Sequence, residues 1–154
     1  MKKFAIIIIV ILVVALLAIF FINFTRNKEI SDLKSLRFYY TRGYAMNSDV
    51  SYELSCNDKC TLKYKPYGVP LEDTKFVEIE YSDVRRILAI LNQYNVASWD
   101  GFSSSDKDVL DGDSFNFYVT TSNDGISASG YMKYPKHYKE VRDGLENIFN
   151  EYIK

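Results

Sequence analysis

The sequence predicts an α+β domain carried behind one N-terminal transmembrane helix. Its sheet is expected to be mainly antiparallel, in the order ββββ-α-ββ-α, with two helices on one face. Three patterns carry this expectation: an unbroken apolar run at the start, several later segments alternating with a period of two, and two segments with the helical period.

Residues 4–22 read FAIIIIVILVVALLAIFFI, with no charge, no polar side chain and no Gly or Pro. A helix of that length spans about 28 Å, close to the hydrocarbon thickness of a bilayer. Ile, Val and Leu all round the helix distinguish it from an amphipathic core helix. The basic head Met1-Lys2-Lys3 also suits a secretory signal, but such signals have a core of about 7–15 residues and then a small-x-small cleavage site. Here the run leaves through Ile22-Asn23-Phe24, and no cysteine follows it to take a lipid. The expectation is therefore an uncleaved single-pass anchor in the cell membrane, with the bilayer as a partner. Arg26, Lys28, Lys34 and Arg37 follow the run, so the flanking charges do not by themselves favour an outside domain. Carrying the positive N-terminal tail through the bilayer is the costlier alternative. An N-terminus in the cytoplasm and a domain outside is the expected topology.

Residues 23–35 read as a juxtamembrane linker and residues 36–154 as a single extracytoplasmic domain, large enough for one core and too short for two. In that domain 14 Lys and Arg stand against 18 Asp and Glu, a net charge of −4. This excludes a basic nucleic-acid footprint, and no nucleic-acid partner is expected. The 13 tyrosines of the chain suit half-exposed strands, where the ring is buried and the hydroxyl stays wet; stacking on a ligand or sugar is the alternative reading.

Taken in order, residues 36–41 alternate as a first strand. Val50, Tyr52, Leu54 and Cys56 alternate as a second, and Cys60, Leu62 and Tyr64 as a third. Asn57-Asp58-Lys59 makes the turn between them. Pro66 and Pro70 mark a loop, after which residues 76–81 form a fourth strand. Ser82 is the expected N-cap of a helix over 83–94, with Asp83 in its first turn. Val84, Ile87, Leu88 and Leu91 line one face of it, and Asn95 suits a left-handed end. Ser98-Trp99-Asp100-Gly101-Phe102 is an aromatic turn, and residues 103–113 read as a polar, acidic loop. Phe115, Phe117 and Val119 alternate as a strand; after the turn at 122–125, Ile126, Ala128 and Gly130 alternate as its partner. The small residues of the partner predict a closely packed ring or helix. Tyr138, Val141, Leu145, Ile148, Phe149 and Tyr152 share one arc of a last helix.

Ser98-Trp99-Asp100-Gly101-Phe102, Val109-Leu110-Asp111-Gly112-Asp113-Ser114-Phe115, and Ala128-Ser129-Gly130-Tyr131 with Tyr134-Pro135 together resemble a family. It is an uncharacterised family of small exported or membrane-anchored proteins of Gram-positive bacteria, a domain of unknown function. Its members also carry a Cys hairpin before the helix. The resemblance covers most of residues 36–154 and implies a source and a compartment, with no activity.

Cys56 and Cys60 are the only cysteines and lie opposite each other across a hairpin turn, where a cross-strand disulfide is feasible. Free buried thiols or cysteine chemistry are the alternatives. Redox catalysis favours Cys-x-x-Cys at a helix start, and zinc needs more ligands than these and His137 supply. Asp106, Asp108, Asp111 and Asp113 form a possible recognition loop or weak cation site. They do not fit an EF-hand, since a loop starting at Asp106 has Leu110 at position 5 and Asp111 at position 6. Four glycines follow Asp, at 101, 112, 125 and 144, which is turn chemistry. Trp99 and Phe102 are expected to be at least partly buried, Trp99 joining the first helix to the sheet. Glu78 and Glu80 share a strand face about 7 Å apart; paired carboxylates can do glycoside chemistry, but on an exposed strand these read as its wet side. Nothing in the spacing assembles a nucleophile, base and orienting group. No glycine-rich phosphate cradle occurs, and neither cofactor nor catalytic residue is expected. The expected function is a membrane-anchored, non-catalytic binding module. An accessory subunit of a membrane complex and a small envelope hydrolase are the alternatives.

Overall fold

The computed structural model describes residues 13–14, 29–43, 49–70 and 73–153. The elements run β1 (Ser35–Thr41), β2 (Asp49–Cys56), β3 (Cys60–Lys65), β4 (Lys75–Ile79), α1 (Tyr81–Gln93), a 3-10 turn (Val96–Trp99), β5 (Phe102–Ser105), β6 (Ser114–Thr120), β7 (Gly125–Tyr131) and α2 (Tyr138–Asn150). The strands form one mixed, seven-stranded sheet in the order β4-β3-β2-β1-β6-β7-β5. The domain is α+β.

The alternation seen in the sequence becomes the two faces of this sheet. Leu36, Phe38 and Tyr40 of β1 lie beside Tyr52 and Leu54 of β2 and beside Phe115, Phe117 and Val119 of β6, all buried. Both helices add their apolar stripes to that cluster: Val84, Ile87 and Leu91 from α1, and Tyr138, Val141, Leu145, Ile148 and Phe149 from α2. The ring of Tyr138 meets Phe38 edge-on, and that of Phe149 lies 4.8 Å from Tyr52. Arg37, Tyr39, Tyr118, Ser103 and Ser127 line the opposite face, which carries no helix among the described residues.

Two corrections to the expected fold follow. The order is ββββ-α-βββ-α and the sheet is mixed, because Phe102–Ser105 pairs parallel with β7, Phe102 beside Ala128 and Ser105 beside Tyr131. The chain leaves this edge strand, passes over the end of β7 and returns as β6, so part of the expected acidic loop is strand and the rest a crossover. The expected transmembrane helix is not seen. Among the described residues no helix is long and apolar enough to cross a membrane. Residues 4–22 lie outside the described residues except for helical Val13 and Val14.

Smaller differences are local. The first helix begins at Tyr81 with Glu80 as N-cap, and Ser82 donates its hydroxyl to the Glu80 carboxylate at 3.2 Å without capping the helix. Asn95 is left-handed, at φ 49°, as its position after the helix suggests. Within the stretch expected as linker, Ile30 and Leu33 are buried in the core, and Asn92 exchanges two hydrogen bonds with the Ile30 backbone, at 2.8 and 2.9 Å.

The register defines two ends. Lys34 donates to the Thr120 carbonyl and Cys56 to the Lys34 carbonyl. The chain entry, the cysteine hairpin and the 121–124 turn therefore share one end. Thr41, Ser114, Tyr131 and Ser105 align across β1, β6, β7 and β5 at the other, with the 106–113 crossover and the Met132–Lys136 segment beyond them.

Candidate functional site

At this distal end the uncovered sheet face holds a shallow trough of about 390 Å³, lined by Ser103, Ser105, Ser114, Asn116, Ser129 and Tyr131, among others. Period-two geometry explains it. Ser103 sits beside Ser129, Ser129 beside Asn116, and Asn116 beside Tyr39; the next row on the same face runs Ser105, Tyr131, Ser114, Thr41. Each strand gives its apolar residues to the core and leaves hydroxyls and an amide on the outside.

The Ser114 and Thr41 hydroxyls lie 2.8 Å apart, and the Tyr131 hydroxyl accepts from the Gly112 amide at 2.7 Å. Among the described residues, Ser103, Ser105, Asn116 and Ser129 make no side-chain hydrogen bond and present their polar groups to solvent. No Asp, Glu, Lys, Arg or His lines the trough. The neighbouring half of the face differs in character. A second hollow of about 180 Å³ there is lined by Arg37, Tyr39, Glu53 and Lys63, with Arg37 donating to Glu53 at 2.9 Å.

The four aspartates of the crossover do not converge. Asp106 pairs with Lys133 at 3.2 Å and accepts from the Asp108 amide, and these contacts hold its carboxyl below the usual carboxylate range. Asp108, Asp111 and Asp113 are exposed. The Asp113 carbonyl accepts from Met132 at 2.9 Å, so the segment is tied to the end of β7 by its backbone. Among the described residues no group of three or more His, Cys, Asp or Glu is placed to hold a metal ion. The crossover meets the Tyr131 end of the trough through the Gly112 amide, which donates to the Tyr131 hydroxyl.

Trp99 and Phe102 lie under the same strands. Trp99 is 2% exposed, meets Phe117 edge-on at 5.2 Å and donates its indole N–H to the Lys136 carbonyl at 3.1 Å. It bridges the end of α1, the sheet and the approach to α2. Phe102 is half-buried and stacks on Phe115 at 6.3 Å. Both are core supports of β5, β6 and β7 and do not line the trough. Phe115 also packs on Gly130, where an added Cβ would lie 2.6 Å from the ring and 2.1 Å from the Lys133 carbonyl oxygen. The expectation of a ring against the small residues of this strand holds there.

Cys56 and Cys60 are disulfide-bonded and face each other at the β2–β3 turn. Tyr81 caps that turn, donating to the Asn57 and Asp58 carbonyls at 3.3 and 3.2 Å. His137 is a left-handed residue at the start of α2, its Nδ1 3.5 Å from Glu140 and its ring against Tyr94. It is not among the residues around the trough serines. Glu78 is paired with Lys59 at 3.0 Å, and the Glu80 carboxylate accepts from Ser82. The structure therefore joins residues that sequence reasoning left apart, Ser103, Ser105, Asn116 and Ser129. A sequence signal was present for Asn116 and Ser129, each at the outward position of a period-two segment, and absent for Ser103 and Ser105. Compared with known proteins, the chain matches no family model and no curated protein.

Proposed function

We propose that this chain is a non-catalytic binding module that works outside the cytoplasm, held at the cell membrane through its apolar residues 4–22, and that the distal trough is its binding surface. The observation that carries this reading is the trough itself: an uncharged concavity on a sheet face that carries no helix among the described residues, at the end opposite the chain entry. A domain held by its N-terminus presents that end outward. The Cys56–Cys60 disulfide supports the compartment, because such bonds persist where the surroundings are oxidising. The lining favours binding over hydrolysis. Its serines have no histidine, lysine or carboxylate among the lining residues to take a proton.

The test is retention of the full-length protein on cell-envelope fragments isolated from its source cells. Retention is expected, with loss in Asn116→Arg and in Ser129→Glu. Thr61→Glu, at an exposed outward position on β3, should be retained as well as the parent. Equal retention of all three variants would refute the trough as the binding surface.

A further inference from the structure

Resting on that reading, we infer that the trough takes an uncharged, polyhydroxylated ligand: a short run of neutral pyranose sugars laid across β5, β7 and β6. Charge sets the class of ligand. A quarter of the chain's residues are charged, and the adjoining hollow on the same face is lined by Arg37, Glu53 and Lys63, yet the larger trough is lined by none. Burying an ionised group of a ligand against unpaired hydroxyls costs free energy that a neutral ligand does not incur.

The lining's hydrogen-bonding capacity points the same way. A serine hydroxyl is one donor and an acceptor, and an asparagine amide offers donors and an acceptor side by side. Ser103, Ser129 and Asn116 form one row, and all three are uncommitted among the described residues. Such mixed donors and acceptors match the vicinal hydroxyls of a sugar, each of which also both donates and accepts. A phosphate or carboxylate ligand would leave the hydroxyl acceptors unused.

Aromatic rings complete the match. Tyr39 and Tyr118 stand just beyond the trough's lining on the same face, 37% and 43% exposed, and flank Asn116, one across the strand pair and one two residues along β6. A half-exposed tyrosine offers an apolar ring face to the C–H side of a pyranose and a hydroxyl to its edge. The row from Ser103 through Ser129 to Asn116 crosses three strands, roughly 10 Å at the usual strand spacing, which suits an oligosaccharide better than a single sugar.

The experiment is an amide chemical-shift titration of the full chain, in a zwitterionic detergent without a sugar headgroup, with cellotetraose, chitotetraose and maltotetraose. Polygalacturonate serves as the anionic comparison. At least one neutral tetramer should shift the amides of Ser103, Asn116 and Ser129. Its affinity should fall tenfold or more in Ser129→Glu and in Asn116→Arg, whose other amide shifts report an intact fold. Asn116→Ala, a milder change, should weaken it by a smaller factor. The inference is overturned if no neutral tetramer shifts trough amides, or if only polygalacturonate does. Trough-dependent retention on envelope fragments together with failure of all three tetramers would overturn the ligand class alone. Failure of retention would overturn the reading beneath it.

Discussion

Replacing Trp99 tests how the core supports the trough. Its ring is 2% exposed, packs edge-on against Phe117 and tilted against Tyr138, and its indole N–H is bonded to the Lys136 carbonyl. Trp99→Ala removes the whole ring from a site fixed by the sheet on one side and α2 on the other, where little collapse is open to the neighbours. The loss should be about 3–5 kcal/mol. Trp99→Phe separates the two contributions. It keeps much of the contact with Phe117 and strips the Lys136 carbonyl of its donor, at a cost of about 1–3 kcal/mol. Because this is the only tryptophan, urea unfolding of the full chain should be followed by far-UV circular dichroism rather than fluorescence. A domain stability of about 5–15 kcal/mol makes both steps measurable. A loss below about 1 kcal/mol for Trp99→Ala would refute the assigned bridging role.

Three further outcomes are expected. Gly130→Ala should destabilise by at least about 1–3 kcal/mol, because its new methyl meets the Lys133 carbonyl, backbone that cannot rotate away. A wild-type urea midpoint would contradict this. Reduction of Cys56–Cys60, which closes a loop of sequence separation 4, should lower stability by about 2 kcal/mol on the chain-entropy account, measured by urea unfolding with and without reductant. Asp83 accepts from the Tyr152 hydroxyl and from Arg86, which also holds Glu151, and these bonds keep the Asp83 carboxyl below its ordinary range. Its folded value lies below its unfolded one, so the tie between α1 and the end of α2 is complete above about pH 4 and is lost as pH falls through the folded value. Asp83→Asn should flatten the acid limb of the melting-temperature profile, and an unchanged limb would contradict the assignment.

Most strands were legible because each carries a two-residue alternation that burial then enforces. Leu36, Phe38 and Tyr40 or Phe115, Phe117 and Val119 have one way to face a core. The helices were legible for the same reason at their own period. β5 was not, since Ser103, Ser104 and Ser105 have no alternation, and an edge strand is held by one neighbour whose identity is a matter of topology. The trough was hidden for a related reason. Ser103, Asn116 and Ser129 meet through the register of three strands, which no local pattern specifies. The four aspartates show the limit of local grouping. Proximity in sequence grouped them, whereas the crossover binds Asp106 to Lys133 and leaves the others facing water. Ser82 had the chemistry of a cap, but the turn from β4 into α1 makes Glu80 the N-cap.

The central claim, that ligand binds on the neutral half of the uncovered face, is tested most directly by hydrogen–deuterium exchange of the full chain with and without isolated envelope fragments. β5, β6 and β7 sit at the edge of the sheet that carries the trough, and β3 and β4 at the other. The account predicts slowed exchange confined to Phe102–Ser105, the 106–113 crossover and the distal halves of β6 and β7. Protection centred on β3 and β4, or on the exposed faces of the helices, would contradict it.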